Sequence, residues 1–562
     1  MRWLEYIAFL VVVLGLARPA GVYLAHVCER EHTFADRVFS PIESMLYRVL
    51  GVDPALEMSA RVYIFCFVAF GFFNTILLFL ILAFQRWLPG GPADAYLTTP
   101  MTADLAANTA VSFATTTTWQ AYGGENTLRY LAQTVGLTAQ NFLAGAAGLA
   151  AGFAFIRGFA RQRSGAIGNF WVDMIRSLLR VLLPVALAGS LVLVWQGVPL
   201  NMSAYTSVHT LEGRPQVIAQ GPVAALEFIK NLGTNGGGFF NANGAHPYAN
   251  PTPLTNFLGL LAIAVLPASL MITLGHVTRR PRAGWTLLGV MVVLFLAGLF
   301  VCDWAETAPA AQLAGMHISG GNMEGKEVRF GPGSSILTAV VTSNTSTGSY
   351  NSMHDSYQPM SVLVLLVNML LGEVIFGGLG AGVYSMVMAA LLAVFLGGLM
   401  VGRTPEYLGK KIGSTETRWI VLYALLTPAV VLLLTGIAVA TNSGTAGLVT
   451  NSGPRGFTEL LFAYASCMAN NGQTMAGLNA NSPFYNITTA IAMMVGRFGS
   501  AGLALALAGR LAGERRRAVT VGTLPSDTPA FAVRVFSTII LLGALSFTPA
   551  LALGPIVEFV QR

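Results

Sequence analysis

The 562-residue chain is 54% hydrophobic and only 10% charged, with 32 lysines and arginines against 25 acidic residues and a formal net charge of +7. Soluble domains carry about 25% charged residues, so this composition specifies a polytopic membrane protein and leaves no long polar segment for a soluble domain. The positive balance does not point to nucleic acid, because the basic residues sit in short clusters between apolar runs, where they carry topology information.

Residues 3–27 are apolar apart from Glu5, Arg18 and His26, with Pro19 inside the run. Arg2 ahead of a hydrophobic core also fits a signal peptide. No small-residue cleavage site follows and the apolar run resumes after the proline, so a retained first helix is predicted. A loop with Arg30, Arg37 and Arg48 leads to a second span, about 62–82. Then comes a short amphipathic half-helix, Ala103 to Phe113, running into Thr115-Thr116-Thr117-Thr118-Trp119-Gln120, and a third span at about 137–156. The stretch from Arg157 to Arg180 carries five arginines and precedes a span at about 181–195.

Thr234-Asn235-Gly236-Gly237-Gly238 follows a half-helix, Pro222 to Ile229, that is too short to cross a bilayer. Three consecutive glycines suit neither a helix interior nor a packed strand. They permit a backbone whose carbonyls all turn toward one axis, using dihedrals that Cβ would forbid. A half-helix ending in threonine and glycine between two full spans is the layout of a potassium-channel selectivity filter. For a single copy, a glycine-rich surface loop is the alternative.

The layout recurs. Spans at about 257–274 and 285–301 flank the basic turn of Arg279, Arg280 and Arg282, and a third half-helix, Ser334 to Thr342, ends in Ser343-Asn344-Thr345-Ser346-Thr347-Gly348. From Met360 to Val401 the chain stays apolar, interrupted by Gly377-Gly378-Leu379-Gly380-Ala381-Gly382. This segment reads as two spans, as one long helix broken by glycines, or, most weakly, as a dinucleotide loop that lacks its strand. After Arg403, Lys410, Lys411 and Arg418 come a span at 420–438 and a fourth half-helix, Phe457 to Ser466, ending in Ala469-Asn470-Asn471-Gly472-Gln473. A span near 485–507, the cluster Arg510, Arg515, Arg516 and Arg517, and a last span near 536–551 complete the chain.

The unit is thus span, half-helix, polar strand, span, four times at intervals of roughly 110–125 residues, too long for a solenoid and right for a duplicated channel unit. The expected fold is an all-α polytopic membrane protein of about ten spans. It comprises an extra N-terminal helix (1–27), four pseudo-repeats around one pore (28–160, 161–278, 279–410 and 411–512), and an extra C-terminal helix (513–562). The basic clusters 30–61, 157–180, 279–282, 403–418 and 510–534 fall in alternate loops, opposite the half-helices. By the positive-inside rule, the filters and both termini face outward.

A potassium ion gives up water only where oxygens replace it, so four loops must surround one axis. Each half-helix points its negative C-terminal end at the ion, which favours a cation. The four strands contain Thr, Ser, Asn, Gln and Gly but no Asp, Glu, Lys or Arg, whereas a divalent site would want carboxylates. The candidate filter residues are Thr115, Thr116, Thr117, Thr118 and Gln120; Thr234, Asn235, Gly236, Gly237 and Gly238; Ser343, Asn344, Ser346, Thr347 and Gly348; and Asn470, Asn471 and Gly472.

Met360 to Val401 would measure about 60 Å as straight helix, roughly twice the hydrocarbon thickness. An outward filter at Gly348 and an inward Arg403 require an odd number of crossings, which favours one broken helix. Its elbow, at Gly377, Gly378, Gly380 and Gly382, is tolerated only beside water or the ion and is the candidate gate. Glu373 and Arg497 are charges within apolar spans, read either as functional or as a salt bridge that steadies the pore. Asp303 and Glu306 read as an ordinary solvated rim, with cation concentration as the alternative. His354-Asp355 reads as a capped turn beside the filter, with a proton relay as the alternative.

Cys28, Cys66, Cys302 and Cys467 stand far apart without C-x-x-C spacing, and the seven histidines include no H-E-x-x-H. No G-x-x-x-x-G-K loop and no Asp-Lys-Thr run occur, so this chain is expected to bind no nucleotide and hydrolyse no ATP.

Over essentially its whole length the chain resembles the A subunit of the bacterial potassium-transporting ATPase (the KdpA family). The resemblance rests on Ala17-Arg18-Pro19, Asn108 through Phe113, Thr118 through Glu125, Thr234 through Pro247, Ser346-Thr347-Gly348, Asn351 through Ser356, Gly402 through Lys411, Ala476 through Pro483 and Gly496-Arg497-Phe498-Gly499. It implies a K+-binding, channel-like subunit in a complex with a P-type ATPase catalytic subunit (KdpB) and small accessory subunits (KdpC, KdpF), in the lipids of a bacterial inner membrane. It places Gln120 near the ion entrance, where a plain helix cap is the alternative. The family often has Thr-Asn-Thr-Asn-Trp-Gln in the first loop, where this chain has Thr116 and Thr118 in place of both asparagines. The fourth loop also lacks the longer asparagine run with serine that is common there. A stand-alone potassium channel or ion-coupled uptake protein of the same superfamily is the competing reading; the extra terminal helices and the Gly402–Lys411 motif favour the pump.

Overall fold

The computed structural model describes residues 2–308, 321–402, 405–517 and 525–561. Arg403 and Thr404, part of one basic turn and of one motif, lie outside the described residues. Among those described, ten helices are long and apolar enough to cross a membrane.

The first helix, α1 (Arg2–Glu29), continues through Pro19, and α2 (Asp36–Leu50) lies in what the sequence presents as a loop. A span, a buried half-helix and a span then repeat. The first set is α3 (Ala60–Ala83), α4 (Ala103–Ala114) and α5 (Ala139–Ala160), the last entered through a π-helical turn. In the second, α6 (Phe170–Arg176) and α7 (Leu183–Trp195) are fused by another π turn and followed by half-helix α8 (Val223–Leu232) and α9 (Pro253–Val277). The third has α10 (Pro281–Thr307), half-helix α11 (Gly331–Asn344) and the pair α12 (Pro359–Leu370) and α13 (Ala381–Val401). The fourth has α14 (Ser414–Ala440), the short α15 (Asn442–Thr445), half-helix α16 (Gly453–Met468), α17 (Pro483–Met494) and α18 (Ser500–Gly513). Helices α19 (Pro529–Leu551) and α20 (Val557–Gln561) meet at a kink at Gly554. Prolines open α11, α12 and α16, where a missing N–H costs nothing.

The long segment 360–401 is one broken helix, not two spans. Its non-helical part is Leu371–Gly380, displaced toward the N-terminus from the predicted elbow. Gly382 lies in the first turn of α13 rather than in the break. The break carries three successive departures to positive φ, at Gly372, Glu373 and Phe376, before Gly380 at φ 84°.

Small residues set the packing. The helix containing α5 is the most enclosed of the spans, 89% of its apolar window being buried. A Cβ on Gly152 would come 2.8 Å from Gly380 Cα, so the helix admits the broken segment only because that position is glycine.

Several charges read as topology or rim are internal ties. Arg157 makes a buried pair with Asp173 (2.6 and 2.9 Å), and Arg180 holds Glu43 and Asp36 of α2. The opposite face of α2 exposes Val38, Ile42, Met45 and Val49 at helical spacing. Asp303 and Glu306 do not form a solvated rim. Glu306 is paired with Lys326 at 2.8 Å with both side chains fully buried, and Asp303 accepts from Tyr6 at 3.0 Å and lies 3.2 Å from Arg2. One partner charge each removes the desolvation cost of leaving a carboxylate alone.

Candidate functional site

The four half-helices end at Thr115, Gly233, Thr345 and Ala469, and each passes at once into a strand with one repeated conformation. The first turn to positive φ comes at Thr116, Thr234, Ser346 and Asn470, at 63°, 48°, 52° and 50°. The second comes two residues later, at Thr118, Gly236, Gly348 and Gly472, at 48°, 91°, 65° and 90°. Alternating left- and right-handed residues is what aims successive carbonyls to the same side.

The amides are tied back in the same way in every copy. The N–H groups of Thr117, Asn235, Thr347 and Asn471 donate to the carbonyls of Ser112, Lys230, Thr342 and Ser466, each five residues earlier, at 3.0, 2.8, 3.3 and 2.9 Å. The carbonyls are left over. Among the described residues, those of strand positions 116–118, 234–236, 346–348 and 470–472 meet no protein donor except the Thr118 hydroxyl, which reaches Thr117 and Asn235. Buried carbonyls without partners are a cost unless something else coordinates them.

The strands close on one another. A Cβ on Gly236 would strike the Thr347 carbonyl oxygen at 1.8 Å, one on Gly348 the Asn471 oxygen at 2.1 Å, and one on Gly472 the Thr117 oxygen at 2.1 Å. Thr118 completes the circuit by donating to Asn235. Each strand therefore touches the next, and the fourth touches the first: the four loops form a ring.

Not every predicted residue lies in it. Thr115 ends α4, its hydroxyl 2.9 Å from that of Thr117. Ser343 and Asn344 belong to the last turn of α11; the Ser343 hydroxyl donates to Val340 O at 3.0 Å and accepts from Asn368 at 2.9 Å, so neither is part of the strand. Gly237 is left-handed as well (φ 70°), and its carbonyl is taken by the Asn243 amide at 2.7 Å. Gly238 donates its N–H to Gln120 Oε1 at 2.8 Å, so Gln120 bridges two strands rather than capping a helix. Thr118, Gln120, Gly237, Gly348, Tyr350, Gly472 and Thr474 from all four loops line one small cavity at this end. Beyond it opens a vestibule of about 630 Å³, lined by Trp119, Asn241, Tyr350, Thr474 and Asn479.

Behind the second strand, Lys230 Nζ lies buried between Glu227 (2.8 Å) and Asn243 Oδ1 (2.6 Å), and Asn243 in turn holds Gly237. Sequence reasoning missed this support; the signal was Glu227 and Lys230 three apart on the buried half-helix.

At the opposite end of the ring sits the break Leu371–Gly380. The Leu379 amide donates to Thr234 Oγ1 at 2.9 Å. A Cβ on Gly378 would lie 3.3 Å from Glu373 Oε2 and 3.5 Å from both Ser346 Cβ and Thr234 Oγ1. Gly377, Gly378 and Gly380 are thus in the break, Gly378 directly against the first residues of two strands. Glu373 and Arg497 are not joined by a salt bridge among the described residues. The Arg497 guanidinium instead donates to Ala144 O at 3.0 Å and lies over the Phe67 ring.

In the loops at the vestibule end of the ring, His246 stacks on Phe240 with ring centroids 3.6 Å apart, and burial together with the Arg329 charge pushes its pKa down to about 4. His354, in the short turn His354–Ser356, is buried without a hydrogen-bond partner on either nitrogen, and desolvation, aided by Lys326, lowers it to about 3. Neutral at ordinary pH and unpaired, it is no proton relay; its neighbour Asp355 accepts from Asn451 at 2.9 Å.

A family model described as the potassium-transporting ATPase A subunit matches residues 7–560. The chain is 46% identical to the potassium-transporting ATPase potassium-binding subunit of Acidobacterium capsulatum, covering 99% of this chain and 98% of that one. It is 48% identical to the subunit of the same name from Methylobacterium nodulans (99% and 97% covered) and to that from Rhodopseudomonas palustris (100% and 98%). Among solved structures, the potassium transporter TrkH from Vibrio parahaemolyticus aligns with a TM-score of 0.52 over 88% of this chain and 96% of that one, at 14% identity, a likeness of fold.

Proposed function

The chain belongs to the potassium-transporting ATPase A subunit family, and from that premise we propose that its ring of four strands is the site at which it binds potassium for ATP-driven uptake. The observation that carries the reading is the closed circuit of four strands, each with the amide between its left-handed residues tied back. Their carbonyls, apart from the two that the Thr118 hydroxyl reaches, are left without a protein donor among the described residues. Oxygens without formal charge replace water around a large monovalent cation and still release it. The negative C-terminal ends of α4, α8, α11 and α16 add to the attraction.

The chain is the non-catalytic member of its complex. Potassium enters from the vestibule, is selected at strand residues 116–118, 234–236, 346–348 and 470–472, and meets the break at Gly377, Gly378 and Gly380, which closes the far end until the P-type ATPase catalytic subunit takes the ion. The repeat boundaries 28–160, 161–278, 279–410 and 411–512 follow from the recurrence of half-helix and strand. The alternation of basic loops supports a bacterial inner membrane with the vestibule and both termini outward. Accessory subunits complete the assembly.

Reconstitution tests this. The chain assembled with its ATPase subunit in proteoliposomes should accumulate potassium only with ATP, and the chain alone should show no ATP hydrolysis. Potassium accumulation by the chain without the ATPase subunit, driven by an ion gradient, would replace this reading with that of a stand-alone transporter.

A further inference from the structure

Three of the four strands place glycine at their second left-handed position, where a Cβ would overlap the neighbouring carbonyl oxygen at 1.8–2.1 Å. The first strand has Thr118 there, at φ 48°. A β-branched residue is costly in this conformation, so something local must hold it. What holds it is its hydroxyl, which donates to Asn235 O of the adjacent strand and lies 2.9 Å from Thr117 O of its own.

Those two oxygens are half of one level of the ring. The level consists of Thr117 O, Asn235 O, Thr347 O and Asn471 O, each at the same place in its strand, five residues after the carbonyl that takes its own amide. Thr347 O and Asn471 O meet no protein donor among the described residues. A hydroxyl proton points at one oxygen at a time, so at any moment one of the four carbonyls is loaded with a partial positive charge. We propose that Thr118 sets the potassium affinity of this filter by competing with the ion for the Thr117 and Asn235 carbonyls. The competition weakens binding and eases release relative to a ring with four open carbonyls. The inference rests on the reading that the four strands bind potassium.

The test uses the assembled complex and measures rubidium uptake against external concentration, giving KM and Vmax separately. Thr118→Val keeps the shape and removes the donor; Thr118→Gly reproduces the other three strands. Each should lower KM about fivefold, the effect of one net hydrogen bond. Thr118→Ser, which keeps the hydroxyl, should stay on the wild-type side of that shift. A purely structural role predicts the reverse, a raised KM or lost assembly in Thr118→Val with no gain in Thr118→Gly. An unchanged or raised KM in whichever of the valine and glycine variants assembles overturns the inference. If the wild-type complex shows no saturable uptake, the filter reading itself fails, a separate outcome.

Discussion

The hydroxyl of Thr234, in the second strand of the ring, accepts a hydrogen bond from the backbone amide of Leu379 in the broken helix at 2.9 Å. One residue of the four-stranded ring thereby supports the elbow at its far end, where the proposed closure lies. Thr234→Val keeps the volume and leaves a buried amide without a partner, at a cost of about 1–3 kcal/mol. The expected result is a looser elbow and more passive rubidium flux in vesicles without ATP. Flux equal to wild type in a correctly assembled variant would place the closure elsewhere.

Gly378 abuts both Thr234 and Ser346, and a methyl group there meets its neighbours at 3.3–3.5 Å, tight but tolerable. Gly378→Ala should therefore assemble and narrow the passage beneath the ring, lowering maximal uptake while leaving KM unchanged. By contrast, Gly377→Ala would press on Glu373 O at 1.9 Å and should lower the yield of folded protein. Normal Vmax in Gly378→Ala would show that ions do not pass this point.

Gly348→Ala adds a Cβ 2.1 Å from the Asn471 oxygen at a φ of 65°. Holding alanine there costs on the order of 1–3 kcal/mol, and the neighbouring strand must yield. The ring should widen on that side, so that sodium competes with potassium. Potassium uptake measured in excess sodium checks this, and an unaltered preference would remove Gly348 from the ion path.

The spans and half-helices were legible because length and apolarity alone separate a helix that crosses from one that does not. The strand composition was legible too, since glycine and hydroxyl residues announce unusual dihedrals. Closure of the ring was not, because the contacts of Gly236 with Thr347 and of Gly348 with Asn471 join residues more than a hundred positions apart. Ser343 and Asn344 looked like strand residues from their polarity, yet α11 continues through them, with the Ser343 hydroxyl bonded back to Val340. The break was displaced by the same ambiguity: Gly382 is helical, its place as glycine set by Gly377, against which a Cβ would collide at 2.7 Å. Glu306 looked solvated because its partner, Lys326, comes from beyond the next segment.

The buried, unpaired His354 predicts acid sensitivity in the loop that follows the third strand. Its folded pKa, about 3, lies below the ordinary value near 6.5, so the folded state favours the neutral ring. Its contribution to stability is complete above about 6.5 and is lost as pH falls toward 3. Thermal unfolding between pH 7 and 4.5 should show Tm falling in wild type and falling less in His354→Leu. Parallel curves would mean that His354 is solvated.

The central claim is that four converging strands bind potassium through uncharged oxygens. Titration of the purified complex with potassium in a large excess of sodium, followed by calorimetry, tests it most directly. Saturable heat that rubidium reproduces, that sodium does not displace, and that Gly472→Ala abolishes is the predicted result. Absence of saturable binding, or displacement by sodium at equal concentration, would contradict it.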